Sequence, residues 1–264
     1  MVTITDSQVE EYQRDGVVVL RGVFSEWIEP LKAGIDANMR DPSWRERTYR
    51  PDDGSAPFFQ DLCSWQRIPE YRDFVMQSPA AEAAARLTGS KSARIFHDHV
   101  LVKEPGTSIV TPWHQDQPYY FVEGRQTVSF WLPLDPVARD ISIEYVVGSH
   151  LWGKDFKPKR FDGTDLYPDD DSEAAPDIDA ERDNLEIRGW AMEPGDAVAF
   201  NFRTLHGAPA NTSGTRRRVI STRWVGDDAT FVKRAGTTSP PFPDLEFDDG
   251  APFGGEDFPV VFSA

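Results

Sequence analysis

At 264 residues, 39% hydrophobic and 12% aromatic, the chain is long enough to bury a substantial core, and all-β folds of this length commonly remain one domain. Its 44 acids against 28 bases leave a net charge of -16, which disfavours nucleic acid or an anionic membrane as partner, because no basic stripe is present to release counterions. The single cysteine, Cys63, excludes an intrachain disulfide and suits a reducing compartment. The opening residues lack the basic and apolar regions of a signal peptide, and no apolar run approaches the ~18 residues of a membrane span, so a cytoplasmic protein is expected.

In chain order, Val9 to Gly16 reads as a helix start, with Gly16 stopping it ahead of the apolar strand Val17–Leu20. Ser25 is placed to cap a helix reaching about Met39. Residues 41–64, punctuated by Pro42, Pro51, Gly54 and Pro57, read as an irregular loop able to fold over a site. Pro79 and Ala80 to Leu87 form a short alanine-rich helix, ended at Gly89. From Ala93 onward strands dominate, expected at 93–103, 111–116, 126–134, 142–147, 184–192, 197–203 and 217–225. The charge excess is confined to two stretches: 162–186 has eleven acids and one base, and 244–257 has six acids and no base. Both are rich in proline or glycine and are expected to be solvated loops. The pattern predicts a mainly β fold with flanking helices in one domain, residues 1–264. A helical layer covers about 1–90, a jelly-roll core about 91–230 and a tail about 231–264.

Chemistry concentrates in His114 and Asp116 of TPWHQDQPYY and His206 of NFRTLHGAPAN. A His-x-Asp pair with a distant His is the ligand set of a 2-His-1-carboxylate facial triad, which holds non-heme Fe(II) and leaves positions open. Residues i and i+2 of an extended strand point the same way, so one strand edge can offer both His114 and Asp116, and a second strand offers the third ligand. Arg216, Arg217 and Arg218 follow His206 by 10 to 12 residues in a predicted strand, where a guanidinium fork can meet a carboxylate in the open half of the site. On a regular strand Arg217 shares one face with Val219 and Ser221, and Arg216 shares the other with Arg218; a bulge near Gly214 would exchange them. His97 and His99 form a rival His-x-His pair, His150 belongs to a GSH turn that orders a loop, and Gln115 faces away from the metal. Period-2 geometry past the His-x-Asp pair puts Tyr120 on the metal face, with Tyr119 and Phe121 on the other.

Together these residues resemble the phytanoyl-CoA dioxygenase family of Fe(II)/2-oxoglutarate-dependent oxygenases. The likeness runs from EEYQRDGVVVLRGVFSEWIEPLKAGID through LVKEPGT, TPWHQDQPYY, WLPLDPV, YVVGSHLWG and MEPGDAVAFNFRTLHGAPANTS to the arginine strand. It implies a double-stranded β-helix, a cupin-like jelly roll, in which His114, Asp116 and His206 hold Fe(II). It also implies that 2-oxoglutarate and O2 are co-substrates, with succinate and CO2 released as a small molecule is hydroxylated. Arg217 stands at the offset the family most often uses to hold the far carboxylate of 2-oxoglutarate. Lys103 and Trp131 match positions beside the co-substrate, and His99 a position lining the pocket. Ala208 stands where the family often has Ser, and RDISIEYVV departs from its pattern on the substrate side. Related halogenases lack the carboxylate that Asp116 supplies, which favours hydroxylation. The absence of a basic patch argues against a CoA thioester as substrate. Two alternatives stand beside this one: an inactive metal-binding relative, and a cupin-like metalloenzyme without 2-oxoglutarate, which would need a further His or Glu ligand.

Overall fold

A computed structural model describes residues 4–160, 164–167 and 171–264. The first helix, Asp6–Asp15, begins in a capping box: the Thr5 hydroxyl accepts from the Gln8 backbone, and the Gln8 side chain accepts from the Thr5 N–H. It therefore opens before the first apolar residue of its pattern. Gly16 closes it at φ 74, a left-handed conformation that is costly for any residue with a Cβ, and the chain turns into the strand Val17–Leu20. Ser25 opens a 3-10 turn, Ser25–Trp27, that leads into the helix Ile28–Arg40, so Trp27 rather than Ser25 stands at the cap. A helix absent from the sequence reading, Pro69–Gln77, packs on this one. A Cβ at Gly34 would meet the Tyr71 ring at 2.6 Å, so glycine is what lets the two helices approach. Ala80–Thr88, stopped by left-handed Gly89, completes the helical layer.

These helices cover one face of an eight-stranded antiparallel sheet. Its order is Val17–Leu20, Ala197–Phe200, Thr127–Pro133, Arg217–Val225, Ser92–Lys103, Phe58–Leu62 and Arg47–Tyr49, with Val260–Ser263 beside the start of Ser92–Lys103. Side chains alternate across it. Val100, Val102, Ile220 and Trp224 pack with Leu31, Phe74 and Leu87 under the helices, while His99, Leu101, Lys103 and Val219 turn to the other side, into a cavity. A second sheet, Thr111–His114, His206–Ala208, Glu144–Val146 and Ile187–Arg188, closes that cavity. The fold is mainly β, a jelly roll with a helical flank.

Three expectations are corrected. Residues 41–64 are not simply a loop: Arg47–Tyr49 and Phe58–Leu62 extend the large sheet, and every residue of Phe58–Leu62 is buried. Gln60 and Asp61 disguise that strand as polar, yet Asp61 is satisfied on the helical side by Asn38 and Ser43. The acid-rich stretches also carry packing residues. Ile178 is buried with Val146, Phe156 and Leu205, and Phe253 and Phe258 join Phe96 and Phe121 in an aromatic cluster. Residues 162, 163 and 168–170 of the first stretch lie outside the described residues. The expected strand at 184–192 is reduced to Ile187–Arg188.

Candidate metal centre and its cavity

His114 and His206 face each other in the register of neighbouring strands, with ring centroids 4.2 Å apart. Each Nδ1 meets a backbone carbonyl, that of Pro112 at 2.7 Å or of Thr204 at 2.9 Å. A carbonyl only accepts, so Nδ1 must carry the proton and Nε2 the lone pair. Both Nε2 atoms lie 3.7 Å from Asp116 Oδ1, and the ligand atoms of the three residues fall within 4.8 Å of one another. Burial first, and then mutual repulsion, drives the His206 ring down to about 3; burial also lowers His114, so both rings are neutral, the form that ligates a metal.

Asp116 reaches this point by a different route from the expected pleat. The strand ends at His114, and Asp116 has helical backbone angles, φ -74 and ψ -38, with its N–H donating to the Phe202 carbonyl at 2.8 Å. A turn, rather than i, i+2 alternation, aims the carboxylate. Its second oxygen, Oδ2, accepts from Ser129 Oγ at 3.0 Å and lies 3.6 Å from Arg223 Nη2. Burial works against ionisation, but the Arg223 guanidinium, helped by the Ser129 hydroxyl, outweighs it and holds Asp116 below the ordinary carboxylate range.

The cavity beside the cluster has a volume of about 440 Å3, within the range of small-molecule sites. At one end Arg217 and Lys103 stand opposite each other in strand register, both buried and both lining the cavity. Arg217 donates to the Ile141 carbonyl, and Lys103 Nζ to the carbonyls of Ile109 at 2.8 Å and Pro209 at 3.2 Å. Neither has an acidic partner among the described residues. Burial pushes Arg217 down to about 10 and, with repulsion from Arg217, pushes Lys103 well below its ordinary value. Arg216 and Arg218 point away, paired with Glu104 at 2.8 Å and Asp135 at 2.7 Å.

The remaining singled-out residues sort by geometry. Trp131 and His99 line the cavity, and His99 Nε2 bonds Gln60 Oε1 at 2.8 Å. His97 lines it as well, although its ring also lies edge-on to Phe96 and Tyr120. The 3-10 turn Gln117–Tyr119 breaks the period-2 pattern, so Tyr119 and Tyr120 both reach the cavity while Phe121 joins the aromatic cluster. Gln115 is buried and turned away from the cavity, bonding Lys154 and Arg203 carbonyls, and His150 meets the Gln13 carbonyl at 3.3 Å.

Sequence reasoning missed Arg223, which is buried and donates to Tyr120 Oη at 3.1 Å beside Asp116. Its signal was available: carrying the alternation of Arg217, Val219 and Ser221 one step further arrives at residue 223. Gln60 and the segment Thr237–Ser239 were also missed, because only the tertiary fold brings them to the cavity.

Solved structures share this fold. The fold matches the solved structure of the non-heme alpha ketoglutarate dependent carbocyclase SnoK from nogalamycin biosynthesis, at TM-score 0.79 and 23% identity over 98% of this chain and 97% of that one. It matches the epimerase SnoN, solved with Fe3+, alpha ketoglutarate and nogalamycin RO, at TM-score 0.79 and 20% identity over 97% and 98%. EctD from S. alaskensis, solved with 2-oxoglutarate and 5-hydroxyectoine, follows at TM-score 0.68 and 18% identity over 95% and 86%. No curated protein matches in sequence. The family model for phytanoyl-CoA dioxygenase (PhyH) matches residues 12–219, which spans the helical layer, the triad and the arginine at 217, and the chain belongs to that family of Fe(II)/2-oxoglutarate-dependent oxygenases.

Proposed function

We propose that this protein hydroxylates a small molecule, using His114, Asp116 and His206 to hold Fe(II) and Arg217 with Lys103 to hold the far carboxylate of 2-oxoglutarate. One observation carries it. Two neutral imidazoles and a carboxylate converge at one end of a cavity whose other end holds two buried cations with no acidic partner among the described residues. Buried cations are stable only with an anion or many acceptors, and a dicarboxylic acid spanning the cavity supplies what the protein does not. Bound Fe(II) would supply the O2 activation, coupled to 2-oxoglutarate decarboxylation, that no side chain here can perform.

The chain's own part is orientation and exclusion. Carbonyls of Pro112 and Thr204 fix the histidine tautomers, and Ser129 and Arg223 engage Oδ2 of Asp116, leaving Oδ1 toward the histidines. Val219 lies two residues from Arg217, Trp131 pairs with Ser221, and the Phe200 ring lies 4.6 Å from that of His206, so an apolar wall that keeps water out runs along the cavity. His99 lines the cavity but is committed to Gln60, and no fourth His or Glu joins the cluster among the described residues. A cupin-like enzyme without 2-oxoglutarate therefore finds no support. Arg47, Lys159 and Arg160 gather at the mouth, yet Arg160 is spent on Thr164 and the carbonyls of Asp165 and Leu166, so we do not propose a CoA thioester. No described helix is long and apolar enough to cross a membrane.

The test is anaerobic titration with Fe(II) and 2-oxoglutarate, followed by exposure to O2. A weak visible metal-to-ligand charge-transfer band is expected, then succinate in amounts matching the 2-oxoglutarate consumed. A substrate product gaining one oxygen atom would establish hydroxylation. Absence of the band at saturating co-substrate would sink the assignment.

A further inference from the structure

The charge of the cavity is opposite to that of the chain. Acids outnumber bases 44 to 28 in the whole sequence. Yet the described residues lining the cavity include six cations, Arg47, Lys103, Lys159, Arg160, Arg217 and Arg223, and one acid, Asp116. Burial keeps the four lining histidines neutral, so they do not alter this balance. Fe(II) and 2-oxoglutarate bring equal charges of opposite sign, so loading the site leaves the positive excess as it was. Like charges gathered in one concave wall repel each other and draw in anions.

Four of the six have a role or a partner. Arg223 stands 3.6 Å from Asp116 Oδ2, Lys103 and Arg217 form the co-substrate end, and Arg160 is engaged by Thr164 and the carbonyls of Asp165 and Leu166. The Arg47 guanidinium and the Lys159 ammonium have no hydrogen-bond or ionic partner among the described residues. Arg182 and Arg216, also at the surface, pair with Glu144 and Glu104, but no acid is placed for these two. Both are exposed and both line the cavity, which puts them at its opening. Arg47 is placed by strand register: it pairs with Gln60, Gln60 with Leu101 and Leu101 with Val219, and every member of that row lines the cavity. At about 4.8 Å between strands, Arg47 lies roughly 14 Å along the sheet from the strand of Arg217 and Arg223, which sets it apart from both. Lys159 is fixed by Tyr119: its N–H donates to Tyr119 Oη at 2.9 Å, and that hydroxyl donates to the Lys159 carbonyl. The Tyr119 ring lies edge-on to His114, with centroids 5.7 Å apart, so this cation is tied to the wall of the metal centre.

We infer that the substrate carries an anionic group, a carboxylate or a phosphate, which Arg47 and Lys159 hold at the opening while its uncharged remainder reaches the metal. The inference rests on the proposed Fe(II)/2-oxoglutarate reading, which fills the Arg217 end with the co-substrate, and the experiment separates the two. The charge-transfer band is recorded first, anaerobically, at saturating Fe(II) and 2-oxoglutarate; its absence counts against the cofactor assignment. Probe affinity is then measured by calorimetry on the same sample, which needs no turnover and decides the opening whether or not the band is seen. The probes are phenylpropionate, phenylbutyrate and phenylpentanoate, each against its primary amide, and phenylbutyl phosphate against phenylbutanol. At least one anion is expected to bind about tenfold or more tightly than its uncharged partner, the scale of two ion pairs at a surface. That preference should fall as KCl is raised. The series with the larger preference identifies the anion as carboxylate or phosphate. The preference should shrink in Arg47→Gln and in Lys159→Gln, and in the double variant an anion and its uncharged partner should bind within about threefold of each other. Anions bound no better than their uncharged partners, or a preference that survives both substitutions, would overturn the inference. The single variants, each at an exposed position, decide it where the double variant fails to fold.

Discussion

The two sheets around the cavity are built to different standards. In the large one, Arg217–Val225 pairs with Ser92–Lys103 at nine positions and with Thr127–Pro133 at seven. In the small one, His206–Ala208 pairs with each neighbour at only two positions, and its register shifts between His206 and Ala208. Both histidines of the metal centre belong to the thin sheet, and the buried cations belong to the thick one. The thin sheet does not orient its own carboxylate. Ser129 and Arg223, both from the thick sheet, reach across to Asp116 Oδ2. A centre with open coordination positions needs ligands held to a fraction of an ångström, and short strands hold that only by borrowing stiffness from a neighbour.

Substitutions can break this division of labour, and the largest effect is expected on the thin sheet. His206→Ala should reduce Fe(II)-dependent succinate formation to background while far-UV circular dichroism stays that of the wild type; surviving turnover would place the metal elsewhere. Next comes the cationic end. Arg217→Gln should weaken apparent 2-oxoglutarate affinity by about 30- to 1000-fold, from the roughly 2–4 kcal/mol lost when one partner of a buried charge pair is removed. Arg216→Gln and Arg218→Gln, which remove outward pairs with Glu104 and Asp135, should stay within about fivefold. A severe loss in either of those two, with Arg217→Gln unaffected, would mean that the strand presents its other face.

Between the two sheets stands Arg223. Arg223→Gln should lower Fe(II) affinity by roughly 10- to 100-fold, as removal of outer partners of metal ligands does, with a smaller change in 2-oxoglutarate affinity. Equal losses in both would show that Arg223 holds the cavity together rather than the carboxylate. The smallest effect is expected from Lys103 and is read in pH. Its folded value is depressed, so between that value and the ordinary 10.5 the folded state holds fewer protons than the unfolded one, and stability should rise with pH through this window. 2-Oxoglutarate should reverse the trend: its carboxylate favours charged Lys103, so Tm gains from the co-substrate should be greatest at neutral pH and fade as pH rises toward 10. Lys103→Met should flatten both slopes, and unchanged slopes would remove Lys103 from the anion site.

Much of the fold is written locally. The strand Arg217–Val225 has the expected bounds, Val17–Leu20 lies where its apolar run ends a helix, and Gly16 and Gly89 stop their helices in the left-handed conformation that glycine tolerates. The region 41–64 was not legible, since its prolines and Gly54 read as loop, and the neighbours that satisfy the buried Gln60 and Asp61 come from other elements. Phe253 and Phe258 were hidden in the same way, inside a stretch whose six acids suggest solvent.

The sequence alone singled out His114, Asp116 and His206 as candidate ligands and narrowed the arginines to two faces, Arg217 on one and Arg216 with Arg218 on the other. The narrowing rests on alternation along a single strand, which the backbone enforces whatever the surroundings. What only the tertiary structure decided is how those parts meet. Asp116 is aimed by a turn anchored on Phe202, its free oxygen is held by Ser129 and Arg223, and Lys103 stands beside Arg217 through a register set across strands. Such contacts join residues roughly tens of positions or more apart, and what makes them favourable is burial and charge pairing in an interior that exists only once both sheets have closed.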